Sequence, residues 1–283
     1  MKHTPLSNSD LSMGRERRRL PFGSMTDKSM LMTILALAWP TMLEQFMQTA
    51  VQYIDTAMVG TLGTQATAAV GSTATVNWLI GSTISAVGVG FLSYIAKAQG
   101  ANQQKSARRA VSQAVLITVI LGIFFTIVTT SLSGLVPVWM QVEPAIRAMS
   151  SKYFLILYLP MLPRAASIIF GTVLRSAGDT KSPMKIGVFV NLINVALNFL
   201  LIYPVREISF LSLDFTLWGA GLGVIGAAIA SAAAFTAGGI CITFVLWRHP
   251  RISPRGERFL PDLQILRPCM RVALPNMLQR FGT

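Results

Sequence analysis

Four polar side chains recur along one apolar stretch near the start of the chain: Glu44, Gln48, Gln52 and Asp55, at spacings of four, four and three. On a helix turning about 100° per residue, they fall within about 80° of one another. A carboxylate at the centre of a lipid-spanning helix costs roughly 2.5–3.5 kcal/mol on insertion scales, so such a stripe must face protein or water. The chemistry open to it is a substrate or ion pathway, or an interhelical hydrogen-bond seam. Asp55, toward one end of the stripe, can exchange a proton in a partly dry pocket, or can hold Na⁺ together with neutral amides.

Candidate amides lie further along. Asn191, Asn194 and Asn198 sit in another apolar stretch, and on a helix they project within about 60° of one another. They either bond neighbouring helices or line the same site. Asp55 with asparagines of this face is a candidate ion-coupling set, and a set of Na⁺ ligands if the ion is sodium. Glu44, Gln48, Gln52, Asn191 and Arg164 are the expected cavity set. Arg164 stands between Pro163 and Ala165 in a third apolar stretch, and Glu44 is its natural ionic partner.

The elements that must position these groups are long apolar blocks at 30–60, 66–98, 107–135, 153–174, 184–203 and 217–247. Each reaches the roughly 20 residues that cross about 30 Å of hydrocarbon, and in lipid such blocks form helices. Composition agrees, with 52% hydrophobic residues, 12% charged residues and mean hydropathy +0.56. The net charge of +13 reports topology and not nucleic-acid binding. With the amino terminus inside, the alternate connections gather Arg15, Lys97, Arg108, Arg109, Arg175, Lys181, Arg248, Arg251 and their basic neighbours. The outer ones hold only Arg147, Lys152 and Arg206. That asymmetry is the positive-inside bias, and it predicts a multi-pass protein of the cytoplasmic membrane.

Residues 15–19 before the apolar run 30–37 imitate a secretory or twin-arginine signal. The helical pattern continues well past that run, so 1–27 is read as a flexible cytoplasmic tail. The six-helix unit is expected over 28–247, a cytoplasmic linker over 248–262, and the start of a seventh helix over 263–283. Cys241 and Cys269 have no paired framework or metal-ligand spacing and are expected reduced; His3 and His249 are isolated. No phosphate loop, nucleophile elbow or HExxH occurs, so an enzyme is not expected. Gly219 and Gly223, followed by Gly226, Ala227, Ala230 and Ser231, suggest close helix packing in the sixth block.

The segment Leu37-Ala38-Trp39-Pro40-Thr41-Met42-Leu43-Glu44-Gln45-Phe46 aligns without gaps on Val272-Ala273-Leu274-Pro275-Asn276-Met277-Leu278-Gln279-Arg280-Phe281. Six intervening helices make the repeat parallel, a design found in transporters with a site between two halves. The fold class expected is an all-α membrane protein: one six-transmembrane-helix lobe plus the start of a seventh helix, with a C-terminal lobe missing.

Several motifs together resemble the multidrug and toxic compound extrusion transporters. Pro40, Glu44-Gln45, Gln48, Tyr53-Ile54-Asp55-Thr56-Ala57-Met58-Val59-Gly60 and Leu62-Gly63 are similar to that family's first helix. Ala98-Gln99-Gly100-Ala101-Asn102, leading to Ala107-Arg108-Arg109-Ala110-Val111, resembles its second-to-third loop. Leu174-Arg175-Ser176-Ala177-Gly178-Asp179-Thr180-Lys181-Ser182-Pro183-Met184 resembles its fourth-to-fifth loop, and Trp218-Gly219-Ala220-Gly221 fits the sixth helix. The resemblance implies half of a twelve-helix pseudo-twofold antiporter exporting drugs or organic cations against H⁺ or Na⁺, with no other cofactor. It matches Asp55 to the family's first-helix acid, and Asn194 and Asn198 to its fifth-helix polar pair. The second of that pair is acidic in some members and Asn198 here, which leaves the coupling ion open. The alternatives are a lipid-linked precursor flippase of the same superfamily, a membrane scaffold, or a non-functional fragment.

Overall fold

The computed structural model describes residues 27–210 and 213–281; apart from Asp27, the expected amino-terminal tail lies outside that range. Ten helices and one hairpin are described: α1 (Asp27–Gly60), α2 (Thr64–Gly71), α3 (Ala74–Gly100), α4 (Gln104–Leu132), α5 (Val136–Trp139), α6 (Pro144–Tyr158), α7 (Met161–Ser176), α8 (Lys181–Leu201), β1 (Pro204–Phe210), β2 (Leu213–Ala220), α9 (Gly223–Arg248) and α10 (Leu263–Phe281). The residues up to Ala38 form one compact unit and those from Trp39 onward another. The second unit holds the whole polar stripe of α1 and every element from α2 to α10.

Among the described residues, four helical spans are long and apolar enough to cross a membrane, and α6 with α7 makes a fifth if the pair counts as one span. The first expected span, α1, is 34 residues long, but Glu44, Gln45, Gln48, Gln52 and Asp55 break up its apolar run, and it is not among these. Phe124, Ile127, Ile240 and Phe244 stand exposed on α4 and α9. Apolar side chains facing outward are what a hydrocarbon solvent requires.

Three of the expected blocks differ in detail. The second is interrupted at Ser72 and Thr73, whose hydroxyls turn back onto Ala69 O and Val70 O; such local bonds compete with the helical ladder. The fourth begins earlier, at Pro144, and bends by 51° between Tyr158 and Met161. Pro160, in that gap, has no N–H to continue the ladder. The sixth begins later. Residues 217–220 belong to a strand, and β1 pairs antiparallel with β2 from Pro204↔Ala220 to Phe210↔Leu213. The connection between α8 and α9 is therefore a hairpin, rich in the β-branched and aromatic types that favour strands. Gly219 and Gly223 are not a helical packing pair; Gly223 has φ +57 and turns the chain into α9, a conformation that glycine adopts without steric cost.

The core gathers on α3, α4, α6, α7 and α9 around Phe91, Phe154, Tyr158, Met161, Ile169 and Leu174, with the Phe154 and Tyr158 rings 4.4 Å apart. Helix α7 is central and packs on α3, α4 and α9, while α8 packs on α9. The small-residue run of α9 makes this possible: Gly226, Ala227, Ala230 and Gly239 are buried. Helix α10 packs on α3, and Asp262 Oδ1 accepts from Gln264 N at its start (2.9 Å), an N-cap arrangement.

The linker is strapped to α4 rather than free. Gln113 donates through Nε2 to Leu260 O (2.7 Å) and accepts from Asp262 N (3.0 Å). Ser112 donates to Arg258 O, and Arg108 to the carbonyls of Pro250 and Arg251.

A Cβ added at Gly239 would fall within 2.6 Å of three Pro163 atoms on α7. Gly239→Val is therefore expected to cost about 1–3 kcal/mol of stability through overpacking, read as a lowered Tm of the detergent-purified protein. Gly134→Ala, where an added Cβ meets nothing within 4 Å, is the control and should leave Tm unchanged.

Candidate functional site

Helix α8 carries its polarity on the inside. Among its 21 residues the buried ones are Pro183, Asn194 and Asn198, while Phe189, Leu192 and Phe199 stand exposed. In water that order would be reversed; in lipid, amides buried against protein and phenyl rings facing out is the stable arrangement. The three-asparagine face expected from spacing thus turns toward the rest of the bundle.

Asp55 of α1 meets this face. Asn198 Nδ2 donates to Asp55 Oδ1 at 2.6 Å. The Asn194 amide satisfies its neighbours when its nitrogen faces Asp55, donating to Oδ1 at 2.9 Å and Oδ2 at 3.1 Å while its oxygen accepts from Ser231 Oγ at 3.1 Å. Asn198 is 1% and Asn194 6% exposed, so these charge-assisted bonds form away from solvent, where they are shortest and strongest. Asn198 Oδ1 is buried without a donor, leaving carbonyl lone pairs free. The Asp55 carboxylate and the free Asn198 carbonyl oxygen are hard donors, the kind that suit alkali and alkaline-earth ions.

Two cavities run along α1 and α8, one of them at this cluster. One, of about 440 Å³, is lined by Gln48, Gln52, Asp55, Asn191, Asn194 and Asn198 together with apolar side chains of α2, α6 and α9. The other, of about 520 Å³, is lined by Glu44, Gln48, Asn77, Arg164, Asn191 and Arg175. Gln48, Asn77, Arg164 and Asn191 border both. The eight residues singled out by spacing all reach one or both cavities, and volumes of this order fit a drug-sized ligand.

One expected contact is absent. Glu44 does not pair with Arg164. Its carboxylate is taken by Arg175, whose Nη2 donates to Oε1 at 2.7 Å and Oε2 at 2.8 Å. Arg164 instead donates to Asn77 Oδ1, which also accepts from Tyr158 O–H at 3.2 Å. Its guanidinium lies over the Phe235 ring, 4.6 Å from the centroid. Matching depth along two helices made the Glu44–Arg164 pair plausible. The α6–α7 bend and the position of Arg175, a residue of the resemblance's loop motif placed in the last turn of α7, decided otherwise.

The MatE sequence profile matches residues 40–200. The chain belongs to the MatE family. It is 25% identical over 248 residues to the probable multidrug resistance protein NorM of Thermotoga maritima, covering 88% of this chain and 51% of that one. Against the multidrug resistance protein MdtK of Proteus mirabilis it is 26% identical over 261 residues, covering 88% and 53%. Among solved structures it resembles a MATE protein in complex with MaL6, with TM-score 0.79 at 25% identity over 88% of this chain and 52% of that one. It also resembles a MOP superfamily transporter from Pyrococcus furiosus, with TM-score 0.76 and the same identity and coverage. The chain spans about half the length of the relatives it matches.

Within this MatE chain, Asn77, Arg175, Tyr158, Phe235 and Ser231 belong to the site but were not singled out by spacing. Asn77 is a lone amide inside an apolar block, a signal that was present. Arg175 reads as one more basic residue of an inner loop, and Ser231 as part of a packing run. The aromatic pair carries no signal, because phenyl and phenol groups line cores everywhere.

The Glu44–Arg175 pair is only about a quarter exposed on either side, so each charge depends on the other. Glu44→Gln and Arg175→Gln should each lower Tm, and the double variant should lose less than their sum. The coupling should be about 0.5–3 kcal/mol. Strictly additive losses in thermal unfolding would show the pair to be energetically idle.

Proposed function

We propose that this chain forms the first six-helix lobe of a cation-coupled antiporter exporting drugs and other organic solutes, organic cations among them, across the cytoplasmic membrane, with its amino terminus inside. The observation that supports this best is the Asp55–Asn198–Asn194 cluster, a carboxylate on one helix held by amides of another, open to a cavity of drug-ligand size. The names of its relatives, multidrug resistance proteins, point the same way.

The chemistry follows from what the amides do. While Asp55 is ionised, Asn198 and Asn194 donate to it and tie α1 to α8. Arrival of H⁺ or Na⁺ neutralises the carboxylate and removes the charge that made those bonds strong. The link between α1 and α8 then weakens, and α1 is free to swing. Pro40, inside α1, lacks an N–H and supplies a point where the helix bends. The Glu44–Arg175 pair is the other tie that such a movement must respect. Cargo binding that favours ionised Asp55 and ion binding that favours the neutral site are then mutually exclusive, which is the coupling an antiporter needs. No organic cofactor enters this scheme, and the second lobe of the full transporter closes the opposite wall of the cleft.

The test uses the full-length protein in everted membrane vesicles. Asp55→Asn keeps size and hydrogen-bonding shape but removes the titratable charge. It is expected to abolish efflux of an organic cation such as ethidium driven by either a proton or a sodium gradient, with membrane insertion unchanged. Comparing the two gradients in the unmodified protein identifies the ion. Efflux of unchanged rate in the variant would overturn the proposal.

A further inference from the structure

The charges around the two cavities do not balance pairwise. Glu44 is neutralised by Arg175, and Asp55 is met by neutral amides. The guanidinium of Arg164 remains. Among the described residues no carboxylate lies within ion-pair distance of it. Its acceptor is the neutral oxygen of Asn77, and its other close neighbours are the rings of Phe235 and Tyr158. Ring faces attract a cation but carry no net charge, so nothing in direct contact with the Arg164 guanidinium neutralises it.

That charge is also short of hydrogen bonds. Arg164 Nη1 is buried with no partner. Ser167 Oγ, three residues along α7 and so on the same helical face, is buried and unpartnered as well. Both residues line the 520 Å³ cavity. Two orphaned donors side by side on one helix face, one of them cationic, are costly unless something completes them. Glu44 is too well held by Arg175 to do so, and the fork geometry of a guanidinium matches a planar oxyanion.

We propose that Arg164 and Ser167 form an oxyanion subsite in this lobe, which takes a carboxylate or comparable anionic group carried by the organic cargo. This rests on reading the cavity as the cargo chamber, and it adds that the chamber discriminates by negative charge as well as accepting amines near Asp55. Phe235 and Tyr158 hold the guanidinium plane, Asn77 occupies Nη2, and Nη1 with the Ser167 hydroxyl is left for the ligand.

The experiment compares three probes of one size and different charge: 1-naphthaleneacetate, 2-(1-naphthyl)ethanol and 2-(1-naphthyl)ethylamine. Each is measured by equilibrium dialysis against the full-length protein in nanodiscs, with empty discs subtracted. The acetate is expected to bind about tenfold or more tighter than the alcohol, as a buried charge-assisted bond outweighs a neutral one by about that factor. The preference should survive millimolar inorganic phosphate. Arg164→Gln should reduce it to about twofold or less, Arg164→Lys should retain part of it by keeping charge without the fork, and Ser167→Ala, a small change that spares the fold, should weaken acetate binding severalfold.

Equal affinity of acetate and alcohol for the unmodified protein, with the amine still bound, would overturn the oxyanion subsite and leave the cargo chamber standing. Failure of all three probes to bind would remove the chamber reading with it. Loss of the preference in millimolar phosphate would make the occupant a free anion and overturn the assignment to cargo. An undiminished preference in both Arg164→Gln and Ser167→Ala would also refute it.

Discussion

A carboxylate inside a lipid-crossing bundle has few places to be. Left against acyl chains, Asp55 would carry the full cost of a buried charge; in the interior it needs donors that do not themselves bring a second charge. The amides of Asn194 and Asn198 supply them, and much else depends on that requirement. Helix α8 must present its asparagines inward and its leucine and phenylalanine side chains outward. Ser231 must lie where it can serve Asn194, which places α9 against α8. The small side chains of α9 then permit the close approach that packing against α7 and α8 demands.

The same constraint explains why the interior is not close-packed throughout. A bundle with Glu44, Gln48, Gln52, Asp55, Asn77, Asn191 and two arginines along its inner surfaces cannot close on itself as an apolar core does, because each buried polar atom left unpaired costs about 1–3 kcal/mol. The apolar cluster therefore concentrates on α3, α4, α6, α7 and α9, while α1 from Trp39 onward adds only Met58 and Val59 to it and is tied to its neighbours by the polar contacts of Asp55 and Glu44. Between those ties lie the two cavities. A helix held at a few charged points and otherwise weakly packed can change position when one charge is neutralised, whereas a helix packed along its whole length resists such movement.

Electrostatic pairing also separates roles among residues of the same type. Arg175 and Arg164 both reach the larger cavity, yet one is spent on Glu44 and the other is not. Counting charges in the cavity would treat them alike. Their hydrogen bonds show that Arg175 anchors a helix while Arg164 keeps an unsatisfied donor beside Ser167.

Sequence by itself determined the class of solvent, the helical blocks and the polar stripe. Apolar length and hydrogen-bond closure leave a lipid-spanning chain little choice, and a period near 3.6 fixes which side chains share a face. So Asp55, Gln48 and Gln52, and likewise Asn191, Asn194 and Asn198, were legible as two faces, and the family was legible in the motifs around them. Breaks in the helices were not. The interruption at Ser72–Thr73, the bend before Met161 and the hairpin over 204–220 depend on local bonds and pairing that a hydropathy profile averages away. Nor was the partner of Glu44. Two arginines lay within reach of a one-dimensional argument, and only the approach of α1 to α7 and α8, which depends on tertiary packing, brought Arg175 to the carboxylate and left Arg164 with Asn77.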